Sequence, residues 1–236
     1  MNAGARDSET PVVAIDGPVG SGKGTIARSV AHALGWHLLD SGALYRLVGL
    51  ASVKRDMAEE GEDVLARLAA DLTIKFESDK SGDERIFLDG EDVTADVRTE
   101  ECGRAASFVA SLSGVRAALL ELQRDFRKEP GLVADGRDMG STVFPDAILK
   151  VYLTASVEER AIRRHKQLKD KGIDVSLPAV SRDIEDRDRR DSERRVAPLR
   201  PAEDARLLDS SGQSIEEVTQ TVLDWVAEVG KGTQKY

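Results

Sequence analysis

Residues 11–25 read PVVAIDGPVGSGKGT, and this stretch decides the fold class of the chain. The apolar run from Pro11 to Asp16 is typical of a fully buried strand in a parallel sheet. The turn after it has the G-x-x-x-x-G-K spacing of a phosphate-binding loop (P-loop), from Gly17 to Lys23. The helix that follows adds its positive N-terminal end. The stretch therefore predicts a strand–loop–helix unit that binds polyphosphate.

All nine residues of this loop are candidates for phosphate binding: Gly17, Pro18, Val19, Gly20, Ser21, Gly22, Lys23, Gly24 and Thr25. Lys23 can reach the β- and γ-phosphates. Gly24 stands where a Ser or Thr usually coordinates Mg²⁺, and Thr25 follows one position late. We therefore expect Mg²⁺ to be held mainly by nucleotide oxygens and water. An ordinary glycine-rich turn is the alternative, which the flanking strand and helix disfavour.

Four more short apolar strands follow along the chain, with helical patterns between them, at residues 37–40, 132–135, 148–153 and 205–209. This alternation predicts an α/β fold, with a five-stranded parallel sheet and helices on both faces. Ligands in such sheets bind beyond the carboxyl ends of the strands. Residues 57–105 differ, because apolar and polar residues alternate at 72–76 and Asp89-Gly90 is a hairpin pattern. They predict a small antiparallel insertion.

The resulting domain organisation has a core, an insertion and two tails. We assign 11–56 and 106–229 to the core, 57–105 to the insertion, about 165–180 to a mobile lid, and 1–10 and 230–236 to tails.

Polar residues follow two of the predicted strands. Asp135 ends its strand and is a candidate to hold Mg²⁺ through water, although Asp-Gly is also a common turn. Arg137 comes two residues later, where a ligand group is more frequent than a surface charge. Ser41, Tyr45 and Arg46 point one way from a helix and could line a nucleotide site. A capped helix with a surface arginine is the alternative reading of that segment.

A group of eight arginines occupies two helical segments, and its members are Arg160, Arg163, Arg164, Arg187, Arg189, Arg190, Arg194 and Arg195. The second helix is predicted to run to about residue 195, with Arg187, Asp191 and Arg194 on one face. Interleaved acidic residues also allow a solvated ion-pair helix. Because this group flanks a glycine-containing polar loop, we favour a functional role for Arg187 and Arg194 in a cover over the ligand.

The composition narrows the possible functions. The 236 residues carry a net charge of −9, which disfavours a general nucleic-acid binder. Yet the chain holds 23 Arg against 11 Lys, and residues 160–200 hold 13 basic and 8 acidic side chains. Arginine suits bidentate contact with phosphate. One cysteine, Cys102, excludes an internal disulfide, and three His predict no zinc cluster. We expect no membrane span, a cytoplasmic location and a monomer.

Five stretches resemble bacterial-type cytidylate kinases: GPVGSGKGT, WHLLDSGALYR, ADGRDMG, EDRDRRDSERRVAPL and LLDSS. The resemblance extends over about residues 11–229, and in that family Gly24 is the usual residue. It implies the P-loop nucleoside monophosphate kinase fold. It also implies transfer of the γ-phosphoryl group of ATP to CMP or dCMP in pyrimidine nucleotide metabolism, with Mg²⁺ as cofactor.

The resemblance also implies roles for individual residues. Gly17 to Thr25 would hold the ATP phosphates, and Arg160 and Arg164 would flank the adenine. The acceptor site would be formed by Ser41, Tyr45 and Arg46, by Ser107, Arg116 and Asp138 at the cytosine edge, and by Arg187 and Asp191 at the sugar. Lys23, Arg137 and Arg194 would be catalytic, because they offset the repulsion between the two phosphates.

Other functions remain open at this stage. A kinase for another small acceptor, such as UMP or shikimate, would share the loop. A nucleotide-dependent switch protein would also share it, but the guanine-reading Asn-Lys-x-Asp motif is absent from the sequence. A nucleic-acid-binding module would show weak, strongly salt-dependent affinity.

Overall fold

The structure is a computed structural model that describes residues 10–78 and 84–233. The chain divides into two compact units. The larger unit consists of Met1–Asp40 and Arg124–Tyr236, and the smaller unit consists of Ser41–Gln123. The predicted insertion, 57–105, forms the central part of the smaller unit. Most of the two predicted tails lies outside the described residues, although the last helix includes residues 230–233.

The described residues contain eight strands and eight α-helices. The strands are β1 (Val12–Asp16), β2 (His37–Asp40), β3 (Ile74–Ser78), β4 (Glu84–Leu88), β5 (Glu91–Asp92), β6 (Leu132–Gly136), β7 (Leu149–Thr154) and β8 (Arg206–Asp209). The helices are α1 (Lys23–Leu34), α2 (Ser41–Lys54), α3 (Glu62–Asp71), α4 (Glu100–Val109), α5 (Ser113–Arg124), α6 (Val157–Asp170), α7 (Leu177–Ser192) and α8 (Ile215–Thr233).

A five-stranded parallel sheet forms the centre of the larger unit. Its strand order is β2-β6-β1-β7-β8, so the strand before the P-loop lies in the middle. Asp16 is in register with Gly136, and Asp40 is in register with Asp135. The carboxyl ends of three neighbouring strands thus bring three carboxylates to one edge. The predicted parallel sheet is confirmed.

Apolar side chains of the central strands explain why this sheet is buried. Every residue of β1 is buried, as its unbroken apolar sequence predicts. Val30 of α1 and Val222 of α8 pack into the same core cluster as Ile15. Helix α8 begins with a capping box, in which Ser214 Oγ accepts from Glu217 N while a Glu217 carboxylate oxygen accepts from Ser214 N.

Helix α7 is shorter than the sequence predicts. It ends at Ser192, and Arg194 lies beyond it, so Arg187, Asp191 and Arg194 do not share one helix face. The chain turns back here, because Leu199 N donates to the Asp191 carbonyl at 2.8 Å. The Asp191 carbonyl therefore accepts from a residue beyond the helix rather than from the next helical turn, and the helix ends. The spacing of charged residues in the sequence does not indicate this end.

The smaller unit combines helices with a three-stranded antiparallel sheet of order β3-β4-β5. The predicted Asp89-Gly90 hairpin connects β4 and β5, and both residues have positive φ, at 51° and 87°. Helices α2 and α4 approach closely at Gly49, where an added Cβ would lie 2.9 Å from the Ala105 carbonyl carbon. Glycine thus permits the helix packing that supports Arg46 and Ser107.

Among residues 10–78 and 84–233, no single helix is long and apolar enough to cross a membrane. The bent pair α4–α5 meets the same length and composition criteria only when its two helices are taken together.

Candidate functional site

The P-loop turns through two glycines in left-handed conformation. Gly20 has φ of 77° and Gly22 has φ of 88°, which side chains rarely adopt. At Gly17 an added Cβ would stand 2.0 Å from the Leu153 carbonyl oxygen, so only glycine fits against β7. Thr25 N and Ile26 N both donate to the Gly22 carbonyl, which starts α1. The resulting curved backbone at a helix N-terminus is suited to bind phosphate.

Lys23 and Asp135 form the charged centre beside this loop. Burial, together with the Arg137 charge, lowers the pKa of Lys23 to about 8, and its Nζ donates to the Pro18 carbonyl at 3.2 Å. Burial raises the pKa of Asp135 to about 7, although the Lys23 charge opposes that rise. A Cβ at Gly24 would stand 3.1 Å from Asp135 Oδ2. The absence of a side chain at Gly24 therefore leaves space for the Asp135 carboxylate.

Asp16, which no sequence motif singles out, is a second buried carboxylate at this edge. Its oxygens accept hydrogen bonds from Met139 N at 2.8 Å and Gly140 N at 2.9 Å. Burial raises its pKa to about 6, although these bonds act in the opposite direction. The sequence does not reveal this role, because an aspartate at a strand end is common and the hydrogen-bond donors to Asp16 lie more than 120 residues away.

Asp191 holds two of the predicted catalytic arginines. Its carboxylate accepts from Arg137 Nε at 3.0 Å and forms a short ion pair with the Arg194 guanidinium, and the Asp191 side chain is 1% exposed. Burial alone would raise the pKa of Asp191, but Arg137, Arg194 and Arg187 lower it below its ordinary value. The structure thus brings these four predicted residues into one cluster, which we call the arginine cluster.

Arg160 lies under the P-loop. Its guanidinium donates to the carbonyls of Ala155 at 3.0 Å and Val19 at 3.1 Å, and it pairs with Asp188 at 2.6 Å. Only 4% of Arg160 is exposed. These contacts tie α6, the loop and α7 together, which the helical spacing of the arginines does not indicate.

A cavity of about 380 Å³ lies between the P-loop, α6 and the start of α8. Arg163 and Arg164 line it, as do Gly22 and Gln213, whereas Arg160 does not. Arg163 is fixed by the turn after β8, because it donates to Ser210 Oγ at 3.0 Å and to the Ser210 carbonyl at 2.7 Å. Arg163 lies in the arginine-rich segment of the sequence, but its spacing does not indicate this contact with Ser210.

Two groups of predicted acceptor-site residues lie within the smaller unit. The Arg116 guanidinium stacks 5.6 Å from the Tyr45 ring centre and donates to the Ala110 carbonyl at 3.4 Å. Ser41 Oγ donates to Gln123 Oε1 at 2.7 Å.

Arg46 forms the second group in this unit. Its Nη1 donates to the carbonyls of Val97 at 2.8 Å and Thr99 at 2.9 Å. A Cβ at Gly103 would stand 2.9 Å from Arg46 Nη2, so glycine leaves space for the guanidinium. Cys102 is buried beside Arg46, and its thiol donates to the Arg46 carbonyl at 3.2 Å.

Comparison with known proteins agrees with this geometry. The sequence model of the family described as cytidylate kinase matches residues 13–228. The chain belongs to the cytidylate kinase family. Three similar relatives are the cytidylate kinases of Paraburkholderia phymatum, Cupriavidus pinatubonensis and Pseudomonas paraeruginosa, which are 55%, 56% and 55% identical to this chain. The alignments cover 92%, 93% and 95% of this chain and 93%, 97% and 98% of the respective relatives.

Family membership confirms the resemblance stated from the sequence. The enzyme class is a cytidylate kinase, a nucleotide-binding phosphotransferase, as predicted. The alternatives, a kinase for a different small acceptor or a nucleotide-dependent switch protein, are not favoured by a match over nearly the whole chain.

Proposed function

We propose that this cytidylate kinase family member transfers the γ-phosphoryl group of ATP to CMP and dCMP. An oxygen of the acceptor phosphate forms a bond to the γ-phosphorus, the bond to the bridging oxygen of ATP breaks, and ADP leaves. The acceptor is already an anion, so the reaction needs no general base. The protein must instead align the two nucleotides and offset the charge of their phosphates.

The observation that carries this proposal is the arginine cluster, in the same unit as a P-loop lysine. The charges of Arg137 and Arg187 both act on Lys23 and lower its pKa. Such a concentration of cations suits two adjacent phosphate groups. Asp191 offsets the charges of Arg137 and Arg194 in this structure. We propose that these two arginines bind the acceptor phosphate and the transferring group, while Arg187 and Asp191 bind the sugar.

We assign the cavity beside the P-loop to the adenine of ATP. It has room for a base, and it adjoins Gly22, where the phosphates are expected. Arg164 lines the cavity and is therefore proposed to contact the adenine. Arg160 was expected to flank the adenine as well, and its buried contacts to Val19 and Asp188 support a role in holding the loop instead.

In the smaller unit, we propose that Arg116 and Ser107 read the cytosine base. Both are at least nine-tenths buried, and the Tyr45 ring stacks on Arg116 and limits its orientation. A pocket with buried polar groups rejects a base that leaves them unpaired. Asp138 of the larger unit, which is 2% exposed, is proposed for the same base. Ser41, Tyr45 and Arg46 complete the proposed acceptor residues of the smaller unit.

Mg²⁺ is the proposed cofactor, and the residues present fit it. Asp135 Oδ1 is buried and has no hydrogen-bond partner among residues 10–78 and 84–233, and Gly24 lets this carboxylate lie against the loop. When bound, Mg²⁺ would offset negative charge on the phosphates. Asp135 would hold the ion through water.

A Gly24→Ala variant tests the proposed role of Asp135. We expect it to raise the Mg²⁺ concentration needed for half-maximal ATP binding about tenfold, because the new Cβ displaces the Asp135 carboxylate. Gly61→Ala is the matched control, since that position has φ of −67° and no neighbouring atom within 4 Å of a new Cβ. An unchanged Mg²⁺ dependence in Gly24→Ala would count against this assignment.

We further propose that the protein acts as a cytoplasmic monomer whose partners are ATP and CMP or dCMP, without nucleic acid or membrane. The negative net charge supports small phosphates over nucleic acids. Light scattering coupled to size exclusion checks the monomer, with an expected mass near 25.6 kDa.

An ADP-release assay over AMP, GMP, UMP, CMP and dCMP tests the proposed reaction. We expect CMP and dCMP to have the highest kcat/KM values. A preference for AMP would refute the proposal. A UMP value equal to that of CMP would show that the base pocket does not discriminate between pyrimidines.

A further inference from the structure

Asp16 fixes both ends of a two-residue segment that carries proposed acceptor-site residues. Its backbone is in register with Gly136 in the sheet, just before Arg137. Its carboxylate accepts from Met139 N and Gly140 N, just after Asp138. Arg137 and Asp138 therefore lie between two points that one residue holds.

The turn around this segment is closely packed. A Cβ at Gly136 would stand 2.7 Å from Met139 Cγ, and one at Gly140 would stand 3.0 Å from Lys150 Cγ. Asp16 is 5% exposed, Asp138 is 2% exposed and Met139 is fully buried. Because the Asp16 contacts hold the backbone on either side of Arg137 and Asp138, a change in those contacts is expected to shift that backbone.

We propose that Asp16 is a positioning residue for phosphoryl transfer, which places Arg137 by binding the backbone at Met139 and Gly140. This inference rests on the proposed function, in which Arg137 binds phosphate. Asp16 is 5% exposed and is not itself proposed to contact either nucleotide. A misplacement of about 1 Å in a catalytic group can lower a rate by roughly 100-fold. A buried carboxylate has an electrostatic cost in the fold, which the two bonds that it accepts from backbone N–H groups offset in part.

Asp16→Asn is the informative substitution. The amide has the same shape, but it offers one acceptor oxygen and presents an NH₂ group to the second N–H donor. We expect kcat with CMP to fall at least tenfold. ATP affinity, measured by titration without CMP, is expected to stay within twofold, since the Asp16 carboxylate accepts its hydrogen bonds from Met139 N and Gly140 N, which lie outside the P-loop.

A double-mutant cycle with Arg137→Ala separates positioning from a general structural role. If Asp16 acts through Arg137, adding Asp16→Asn to Arg137→Ala changes kcat by less than threefold. Multiplicative effects would overturn the proposal, and so would a kcat within twofold of wild type. Parallel losses of ATP affinity and kcat would place the effect in the P-loop and would also overturn it.

The controls keep this result distinct from the test of the proposed function. If the wild-type protein does not phosphorylate CMP, the proposed function itself is refuted, independently of the role of Asp16. Asp92→Asn removes another carboxylate that accepts a backbone N–H, from Thr94 at 3.0 Å, and should leave kcat unchanged. If Asp16→Asn lacks a cooperative thermal transition, Asp16→Ser replaces it with the same expected results, because its hydroxyl can accept one of the two bonds.

Discussion

Two pairs of proposed nucleotide-binding arginines, one pair in each unit, are held in different ways. In the larger unit, the Asp191 carboxylate holds Arg137 and Arg194. In the smaller unit, backbone carbonyls hold Arg46, and an aromatic ring stacks on Arg116. A phosphate can replace a carboxylate as the partner of a guanidinium, because both are anions. A carbonyl, in contrast, fixes a guanidinium without neutralising its charge.

This difference supports the proposal that the two sets of cations serve separate steps. Arginines that pair with a carboxylate before the nucleotides bind can rearrange around phosphates as charge moves, which supports a role in the transition state. Arginines fixed by carbonyls are oriented in advance, which supports binding of the acceptor. Substitutions in the larger unit should therefore lower kcat, and those in the smaller unit should raise the KM for CMP.

Lys23→Ala should have the largest effect and lower kcat about 1,000-fold, because it removes the P-loop cation that is proposed to bind the transferring phosphate. Steady-state kinetics with CMP and ATP check it. Lys75→Ala, at an exposed position on β3, is the control and should behave as wild type. A Lys23→Ala enzyme that keeps its kcat but binds ATP weakly would show that this lysine only binds the donor.

Arg194→Ala should lower kcat about 100-fold while the KM for CMP changes less than fivefold. The reason is that Arg194 is proposed to gain its phosphate contact as the reaction proceeds. The neighbouring Arg195 is exposed, so Arg195→Ala serves as the matched control. Equal losses in kcat and in CMP affinity would break the distinction between the two units.

Arg46→Ala should raise the KM for CMP by about tenfold to 150-fold, since a charged hydrogen bond contributes about 1.5–3 kcal/mol. Its kcat should stay within threefold of wild type. Isothermal titration with CMP gives the same comparison at equilibrium. Arg104→Ala, exposed on α4, is the control. A large fall in kcat would move Arg46 into the transition-state group.

Thr99→Ala should have the smallest effect, a loss of about 1 kcal/mol in the free energy of unfolding. Thr99 Oγ1 accepts from Cys102 N at 3.2 Å and thereby caps α4. Its backbone carbonyl, which holds Arg46, remains after the substitution. Denaturant titration measures the change, and Thr99→Ser should restore stability. A rise in the KM for CMP beyond threefold would mean that the cap also orients Arg46.

Most of the parallel sheet could be predicted because each strand is a local apolar run followed by a turn. β2 spans the predicted residues, 37–40, and β6 extends the predicted strand by one residue, Gly136. The end of α7 could not be predicted, since a hydrogen bond between Leu199 and Asp191 decides it.

The candidate site divides in the same way. The P-loop and Asp135 are visible in the sequence, because their chemistry lies within one motif or directly after a strand. The contacts of Asp16 with Met139 and Gly140, and of Arg160 with Val19, join residues more than 120 positions apart. Residue types and spacing carry no information about such contacts until the strands are aligned.

Cys102 gives this chain a practical advantage. It is the only cysteine in the sequence, burial raises the pKa of its thiol, and the Arg46 carbonyl accepts its hydrogen bond. A protected thiol reacts slowly with maleimides, so new surface cysteines could be labelled selectively without first removing it. Fluorophores placed on one exposed residue of each unit would then report how their separation changes during turnover.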